Sequence, residues 1–235
     1  MSYRLYYWPG LPGRGEFVRL ALEDAGAPYE DVVRQGEAGM KAMLDLLPGR
    51  QGRAFAPPIL EDGDVLISQA ANILFYLAPR LDLAPADEAG RLAANGLQLT
   101  LADLVDEAHN THHPIAPGLY FEDQREPAKA RARDFIAHRA PKYLDYFESV
   151  LGGTAHLVGS RHSYPDLSMF QVIEGLRYAF PRAMSGFAER YPGLARLRER
   201  VRERPRLAEY LRSPRRLAFN ETGIFRHYPE LDQDP

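Results

Sequence analysis

Two consecutive prolines, Pro57 and Pro58, constrain the fold of this 235-residue chain more than any other feature. Proline has no backbone N–H, so within a sheet it is confined to edges, bulges or the first residue of a strand. The apolar residues Ile59 and Leu60 follow directly, which predicts that Pro58 opens a short buried strand. A proline in that position is a candidate for a cis peptide bond. We therefore expect a fixed backbone edge that can bind a ligand.

A helix is predicted soon after this strand. It runs from Ala70 to Leu77, with Ser68 placed as its N-cap. A strand that leads into a capped helix presents backbone N–H groups and the positive end of the helix dipole to an anion. The segment 57–77 therefore predicts a pocket for a small acidic ligand.

The remaining periodicity divides the chain into two domains. An α/β domain, residues 1–80, is predicted to contain strands at 3–8 and 27–34, helices at 15–25 and 37–47, and two strands flanking Asp62 and Gly63. After a linker at 79–85, an all-α domain, residues 86–235, is predicted to contain helices near 86–113, 126–151, 164–180 and 193–211. The final stretch, 213–235, carries aromatic residues, so we expect it to pack on the body.

Composition and charge limit the classes of function that this chain can have. A net charge of -3 and a pI near 6.2 indicate no general attraction to nucleic acid or to an anionic membrane. Nine arginines and three glutamates lie between positions 196 and 216, which is typical of a solvated helix face. With no apolar stretch long enough for a membrane span and no basic leader, we expect a cytoplasmic protein. The chain has no cysteine, so any thiol chemistry requires the thiol of a bound ligand.

Several motifs in a fixed order resemble one family. The sequence Tyr7-Trp8-Pro9 is followed by Arg14-Gly15-Glu16-Phe17-Val18-Arg19-Leu20 and then by Pro58 and Gln69. This order and spacing resemble the N-terminal domain of cytosolic glutathione S-transferases of the tyrosine type, with a bacterial-looking, sigma/pi-like pattern. Ser163-Tyr164-Pro165-Asp166-Leu167 resembles the capping box and staple of the family's C-terminal domain. The resemblance implies a thioredoxin-like domain followed by a helical domain, joined in a homodimer.

The resemblance also implies an activity. Glutathione is the expected co-substrate, no other cofactor is expected, and the glutathione thiolate attacks a hydrophobic electrophile or a peroxide. Tyr7 corresponds to the tyrosine that donates a hydrogen bond to that thiolate, although Tyr3, Tyr6 and Tyr7 also fit ordinary strand aromatics. Arg14 either binds a ligand carboxylate, braces Tyr7, or is a solvated helix-start residue.

Other glutathione contacts are implied at Gln69, which matches the residue that binds the γ-glutamyl group, and at Asp103, which matches an acid that reaches across the dimer. Two positions depart from the family pattern. Ala70 stands where a serine usually binds the γ-glutamyl carboxylate, and Pro57 has no N–H to donate to the cysteinyl backbone. These departures favour an alternative, a non-catalytic carrier or interaction protein with the same fold.

A histidine-rich segment, Ala108-His109-Asn110-Thr111-His112-His113-Pro114, permits two interpretations. Histidines four apart share a helix face and can hold a metal ion. However, Pro114 ends the helix and no acidic ligand is paired with them, so we expect no metal site. We instead assign a second-substrate pocket to Trp8, His109, His113 and Tyr120.

Overall fold

The structure is a computed structural model that describes residues 2–49 and 53–233. The outermost residues of the two predicted domains, Met1 and Pro235, lie outside the described residues. The N-terminal half is a four-stranded sheet with three helices. Its strands are β1 (Tyr3–Tyr6), β2 (Tyr29–Asp31), β3 (Ile59–Asp62) and β4 (Val65–Ser68), and its helices are α1 (Gly15–Ala25), α2 (Glu37–Asp45) and α3 (Ala70–Leu81).

The sheet is mixed, with strand order β2-β1-β3-β4. β1 and β2 are parallel neighbours, and the crossover helix α1 connects them along the chain. β3 is antiparallel to both β1 and β4. Gly26 ends α1 in the left-handed conformation, at φ 66°, which a residue without a Cβ adopts readily. Gly63, at φ 60°, lies in the tight turn between β3 and β4, as the flanking strands predict.

The helical half contains seven helices within the described residues. They are α4 (Glu88–His109), α5 (Arg125–Asp134), α6 (Ala140–Leu151), α7 (Tyr164–Ala179), α8 (Phe187–Arg190), α9 (Pro192–Arg202) and α10 (Pro205–Arg212). The thioredoxin-like domain followed by a helical domain is thus the observed fold. No described helix combines the length and the apolar character that crossing a membrane requires.

Helix α7 is the centre of the molecule. Nearly all of its residues are buried, and it packs against α1, α4 and α9. The Asp166 side chain accepts a hydrogen bond from the Ser163 N–H at 2.8 Å, the reciprocal bond of the predicted capping box. The predicted tail packing is confirmed as well, because Ile224, Phe225 and Leu231 are buried in the same core.

Two predictions for the sheet half were wrong. The strand predicted at 27–34 is paired only over Tyr29–Asp31, because Val32 and Val33 turn away in a 3-10 helix and pack against Met43. Ser68 is not the N-cap of α3, since it is paired with Ile59 as the last residue of β4, and Gln69 occupies the cap position.

Four predictions for the helices also need correction. The helix predicted at 86–113 ends at His109, so His112 and His113 lie beyond it. The helix predicted at 126–151 contains a π-turn at Phe135–Arg139, and the one predicted at 193–211 is divided at Pro205, which begins α10. Helix α3 includes Pro79 and ends at Leu81, inside the segment predicted as linker.

A buried polar network joins the two halves. Glu16 and Arg19 of α1 are both fully buried, and their side chains lie 3.3 Å apart. The Glu16 carboxylate also accepts hydrogen bonds from the Tyr210 hydroxyl of α10 and from the Arg216 guanidinium of the tail. Arg19 donates from Nε to Asp31 at the end of β2, at 2.7 Å. A buried charge is tolerated only with such partners.

We expect Glu16→Gln to destabilise the protein by about 3 kcal/mol, because the largely buried Arg216 guanidinium loses its carboxylate partner and Arg19 keeps only Asp31. Urea unfolding followed by circular dichroism measures the change. The matched control is Glu126→Gln, which removes a solvent-exposed partner of Lys129 and should leave the unfolding midpoint nearly unchanged. Equal shifts in the two variants would contradict the importance of the buried network.

Candidate functional site

The sheet register aligns three of the predicted site residues. Tyr6 is opposite Ile59, and Ile59 is opposite Ser68. In an antiparallel sheet the next positions along each strand are also neighbours, so Tyr7, Pro58 and Gln69 form a row at one end of the sheet. The N-termini of α1 and α3 also lie at this end of the sheet. The row is therefore placed where backbone N–H groups converge.

The Tyr7 hydroxyl is held by the start of α1. Its oxygen accepts a hydrogen bond from the Arg14 N–H at 2.8 Å, so it satisfies one of the backbone donors that a helix start leaves unpaired. The side chain is only 6% exposed, and this burial raises its pKa above the ordinary value, while the Arg14 N–H and the charges of Arg14 and Arg19 act in the opposite direction. Tyr7 is consequently protonated at neutral pH and keeps an O–H to donate.

Two glycines explain why the ring fits there. A Cβ on Gly13 would lie 2.1 Å from the Tyr7 hydroxyl oxygen, and a Cβ on Gly15 would lie 2.5 Å from Cγ of the ring. Gly13 also has φ 44°, which disfavours other residues. The sequence Gly13-Arg14-Gly15 therefore folds closely around Tyr7, with the Arg14 N–H directed at the hydroxyl.

The neighbouring tyrosines are placed differently. The Tyr6 hydroxyl donates to Glu61, which together with burial raises the Tyr6 pKa. Tyr3 begins β1, at the opposite end of the strand from Tyr7. Tyr6 ends β1 beside Tyr7, but its hydroxyl is bonded to Glu61, so of the three tyrosines Tyr7 is the candidate donor in the row with Pro58 and Gln69.

Gln69 has an unusual backbone. Its φ is 73°, a conformation that costs a non-glycine residue on the order of 1–3 kcal/mol and is concentrated at functional sites. The residue is exposed, and no side-chain hydrogen bond caps α3 at this position. The backbone N–H groups at the start of α3, including that of Ala70, therefore face the row of site residues without a capping side chain.

The proline pair is buried at the head of β3, and the peptide bond between Pro57 and Pro58 is cis. The predicted conformation is thus present. Because Pro57 has no N–H, this edge offers a ligand the Pro57 carbonyl as an acceptor but no backbone donor at the same residue.

Arg14 links this end of the sheet to α4. Its guanidinium lies 3.2 Å from Asp106, and both side chains are partly exposed. The sequence analysis had selected Asp103 on the same helix, which is exposed about one turn before Asp106. Asp106 was missed because several acidic residues occur together in that segment, and only the packing of α4 shows which one meets Arg14.

The three histidines lie together where α4 ends. Their ring centroids are 4.6 to 5.0 Å apart. The Thr111 hydroxyl donates to the Ala108 carbonyl at 2.7 Å, which helps to turn the chain so that His112 and His113 fold back towards His109. Burial lowers the pKa of His109 to about 4 and that of His112 to about 3, so both rings are neutral at pH 7.

The other residues assigned to the second-substrate pocket lie on the surface. Trp8 is 36% exposed and Tyr120 is 78% exposed, so neither is a buried wall in this structure. A contact that the sequence does not reveal comes from the tail, where the Asn220 side chain donates to the Gly10 carbonyl at 2.8 Å. The tail therefore lies beside the loop that carries Trp8.

Comparisons with known proteins agree on one family. A family model described as the C-terminal domain of glutathione S-transferase matches residues 109–214. The chain is similar to glutathione S-transferase P 2 of Bufo bufo, with 29% identity over 217 residues that cover 90% of this chain and 93% of the relative. It is 30% identical to glutathione S-transferase alpha-3 of Rattus norvegicus over 213 residues, which cover 88% of this chain and 87% of the relative. A solved structure of prostaglandin synthase D from Nilaparvata lugens has a TM-score of 0.72 at 18% identity, covering 91% of this chain and 98% of that one.

We expect Gly15→Ala to destabilise the protein by about 1–3 kcal/mol, because the new methyl group displaces the Tyr7 ring from a close-packed position. The matched control is Gly96→Ala in α4, where a Cβ meets no atom within 4 Å. That change should stabilise the helix by about 0.5–1 kcal/mol. Thermal unfolding of both variants measures the difference, and a neutral Gly15→Ala would mean that the ring is not held as described.

Proposed function

This chain belongs to the glutathione S-transferase family, and we propose that it uses Tyr7 to activate the thiol of glutathione for attack on a hydrophobic electrophile or a peroxide. Glutathione is the co-substrate. The observation that carries the proposal is the buried Tyr7 hydroxyl, whose oxygen accepts from the Arg14 N–H at 2.8 Å. That bond leaves the hydroxyl proton free to point at the ligand sulfur.

The chemistry follows from this arrangement. The thiol loses its proton to solvent, and the resulting thiolate accepts a hydrogen bond from the Tyr7 hydroxyl. Lowering the pKa of a thiol by about two units corresponds to roughly 2.7 kcal/mol in favour of the thiolate. Charge-assisted hydrogen bonds are of this strength. The Arg14 N–H polarises the same hydroxyl, and the charges of Arg14 and Arg19 favour an anion near it.

The rest of glutathione is assigned to the row of residues beside Tyr7. The γ-glutamyl group lies against Gln69, with its carboxylate at the N–H groups of Ala70 and Ala71, where α3 lacks a side-chain cap. The cysteinyl N–H donates to the Pro57 carbonyl next to Pro58. Most of these contacts to glutathione are therefore made by backbone N–H and carbonyl groups of the glutathione-binding domain, residues 1–80.

We assign the electrophile to the space between that domain and the helical domain, residues 86–235. We assign Trp8, His109, His113 and Tyr120 to it, with Trp8 and Tyr120 at its exposed rim, and Arg14 lies at the boundary through its contact with Asp106. We further propose a tyrosine-type, sigma/pi-like enzyme that acts as a homodimer, in which the exposed Asp103 reaches the γ-glutamyl amine bound to the partner subunit.

The alternative, a non-catalytic carrier, is favoured by the two departures at Pro57 and Ala70. Against it stands the packing of Gly13 and Gly15 around Tyr7, which holds a protonated hydroxyl at the point where a thiolate needs a donor. A purely structural tyrosine does not require this close arrangement. We therefore favour the enzyme.

We expect Tyr7→Phe to raise the thiol pKa of bound glutathione by about one to two units, because one charge-assisted donor is removed. Binding of glutathione should change little, since its other contacts remain. Ultraviolet titration of the bound thiolate measures the pKa. Tyr6→Phe is the control, because the Tyr6 hydroxyl is bonded to Glu61 and should not affect the thiol. An unchanged pKa in Tyr7→Phe would remove Tyr7 from the catalytic role.

Pro57→Ala tests the missing donor. It supplies an N–H beside the ligand's cysteinyl group and should tighten glutathione binding by up to about tenfold, the value of one hydrogen bond. Loss of the rigid ring should lower stability by about 0.4–1 kcal/mol.

Calorimetric titration and thermal unfolding measure the two effects of Pro57→Ala. Pro192→Ala, at the start of α9, is the control and should leave the affinity unchanged. Binding by neither the parent protein nor Pro57→Ala would instead support the non-catalytic carrier.

A further inference from the structure

The three histidines at the end of α4 are arranged as ligands are around a metal ion. One nitrogen of each ring, from His109, His112 and His113, lies within 4.8 Å of those of the other two. Three imidazole nitrogens bound to one tetrahedral ion at about 2.0–2.1 Å are separated from each other by about 3.3 Å. Small side-chain rotations therefore bring this set into a coordinating geometry. The sequence analysis expected no metal site because Pro114 ends the helix and no acidic ligand is paired with the histidines; in the structure the helix ends at His109, and the turn through Thr111 gathers the three rings.

Hydrogen bonding fixes the tautomer of the central ring. Nε2 of His112 lies 2.8 Å from the Ile224 carbonyl oxygen, which only accepts, so this nitrogen carries the proton and Nδ1 has the lone pair. A ring nitrogen bonded to a backbone carbonyl opposite the coordinating nitrogen is the usual support of a metal-bound histidine. His112 is also almost fully buried, so its ring has little freedom to turn away.

Nδ1 of His112 faces Nδ1 of His113 at 2.5 Å. Two lone pairs cannot approach so closely, so His113 donates its Nδ1–H to the Nδ1 lone pair of His112. A metal ion that accepts this lone pair also gains Nδ1 of His113 once that ring moves its proton to Nε2 and the two nitrogens separate to about 3.3 Å. His109 supplies the third nitrogen, and since its side chain is only half-buried it leaves a path for entry.

A second cluster, His156, His162 and Asp166, is less suited to a metal. Asp166 already accepts hydrogen bonds from the N–H groups of Leu157 and Ser163. His162 lies 3.2 Å from Asp24, which is bonded to Arg204. The acceptor atoms of this second cluster therefore already take part in helix capping and ion pairing, unlike the Nδ1 lone pair of His112.

We propose that His109, His112 and His113 bind one borderline divalent cation of the zinc type, with a fourth position open to an exogenous ligand. Such cations favour imidazole nitrogen, whereas magnesium and calcium favour oxygen. The guanidinium groups of Arg14 and Arg226 act on these rings and oppose a bare dication, so the fourth ligand is an anion. The inference does not depend on glutathione binding.

Cobalt(II) titration of the untagged, chelator-treated full-length chain tests the proposal, because tetrahedral cobalt gives intense visible absorption bands. We expect one equivalent of cobalt per chain to give these bands, and zinc to displace it. His109→Ala should weaken cobalt binding by more than about 100-fold, because it removes a ligand and loss of even a supporting hydrogen bond costs about 10–100-fold. Arg226→Gln should tighten it, an effect that a merely structural role of the histidines does not predict.

Two variants serve as controls. His138→Ala removes an exposed histidine and should bind cobalt as the parent does. His162→Ala disrupts the second cluster and should also bind normally. The proposal is overturned if the tetrahedral bands are absent, if His109→Ala and His138→Ala bind equally well, or if only His162→Ala loses the bands. Circular dichroism of every variant confirms that a lost signal is not lost folding.

Discussion

The buried carboxylate of Glu16 is the interaction on which the rest of this structure depends. A charge taken out of water is tolerated only with partners, and here the partners come from separate parts of the chain: Arg19 of α1, Tyr210 of α10 and Arg216 of the tail. Tyr210 and Arg216 reach Glu16 only when the sheet half and the helical half have assembled. The network therefore makes the two halves interdependent, and it fixes the position of α1 relative to both.

The position of α1 in turn determines the site. Arg19 donates to the Pro12 carbonyl at 3.4 Å, and the loop that contains Pro12 leads into Gly13 and Gly15. The guanidinium carbon of Arg19 lies 5.8 Å from the Tyr7 ring centroid, close enough for the Arg19 charge to act on the Tyr7 hydroxyl. Burial favours a protonated Tyr7, while these positive groups favour a nearby anion. The same residues thus support the fold and set the electrostatics of the row formed by Tyr7, Pro58 and Gln69.

What the sequence predicts well is local. Capping at Ser163, the turn at Gly63 and the strand after Pro58 each depend on neighbouring residues, and all three are present. Ser68 was assigned wrongly because serine is a preferred cap in general, and only its pairing with Ile59 shows that the strand continues. Two partners of Glu16, Tyr210 and Arg216, are 194 and 200 positions away in the sequence. The gathering of the histidines depends on a turn that hydrophobic periodicity does not indicate.

The tail joins the two sides of the site physically. Asn220 binds the Gly10 carbonyl beside Trp8, and the Ile224 carbonyl accepts from His112, so one short segment contacts both the loop after β1 and the histidine cluster. Phe225 fits against Gly175 of the central helix, where a Cβ would lie 2.3 Å from its ring. The segment is therefore anchored in the core between its two site contacts. Displacement of the Trp8 loop would therefore disturb the same packed segment that contacts the histidine cluster.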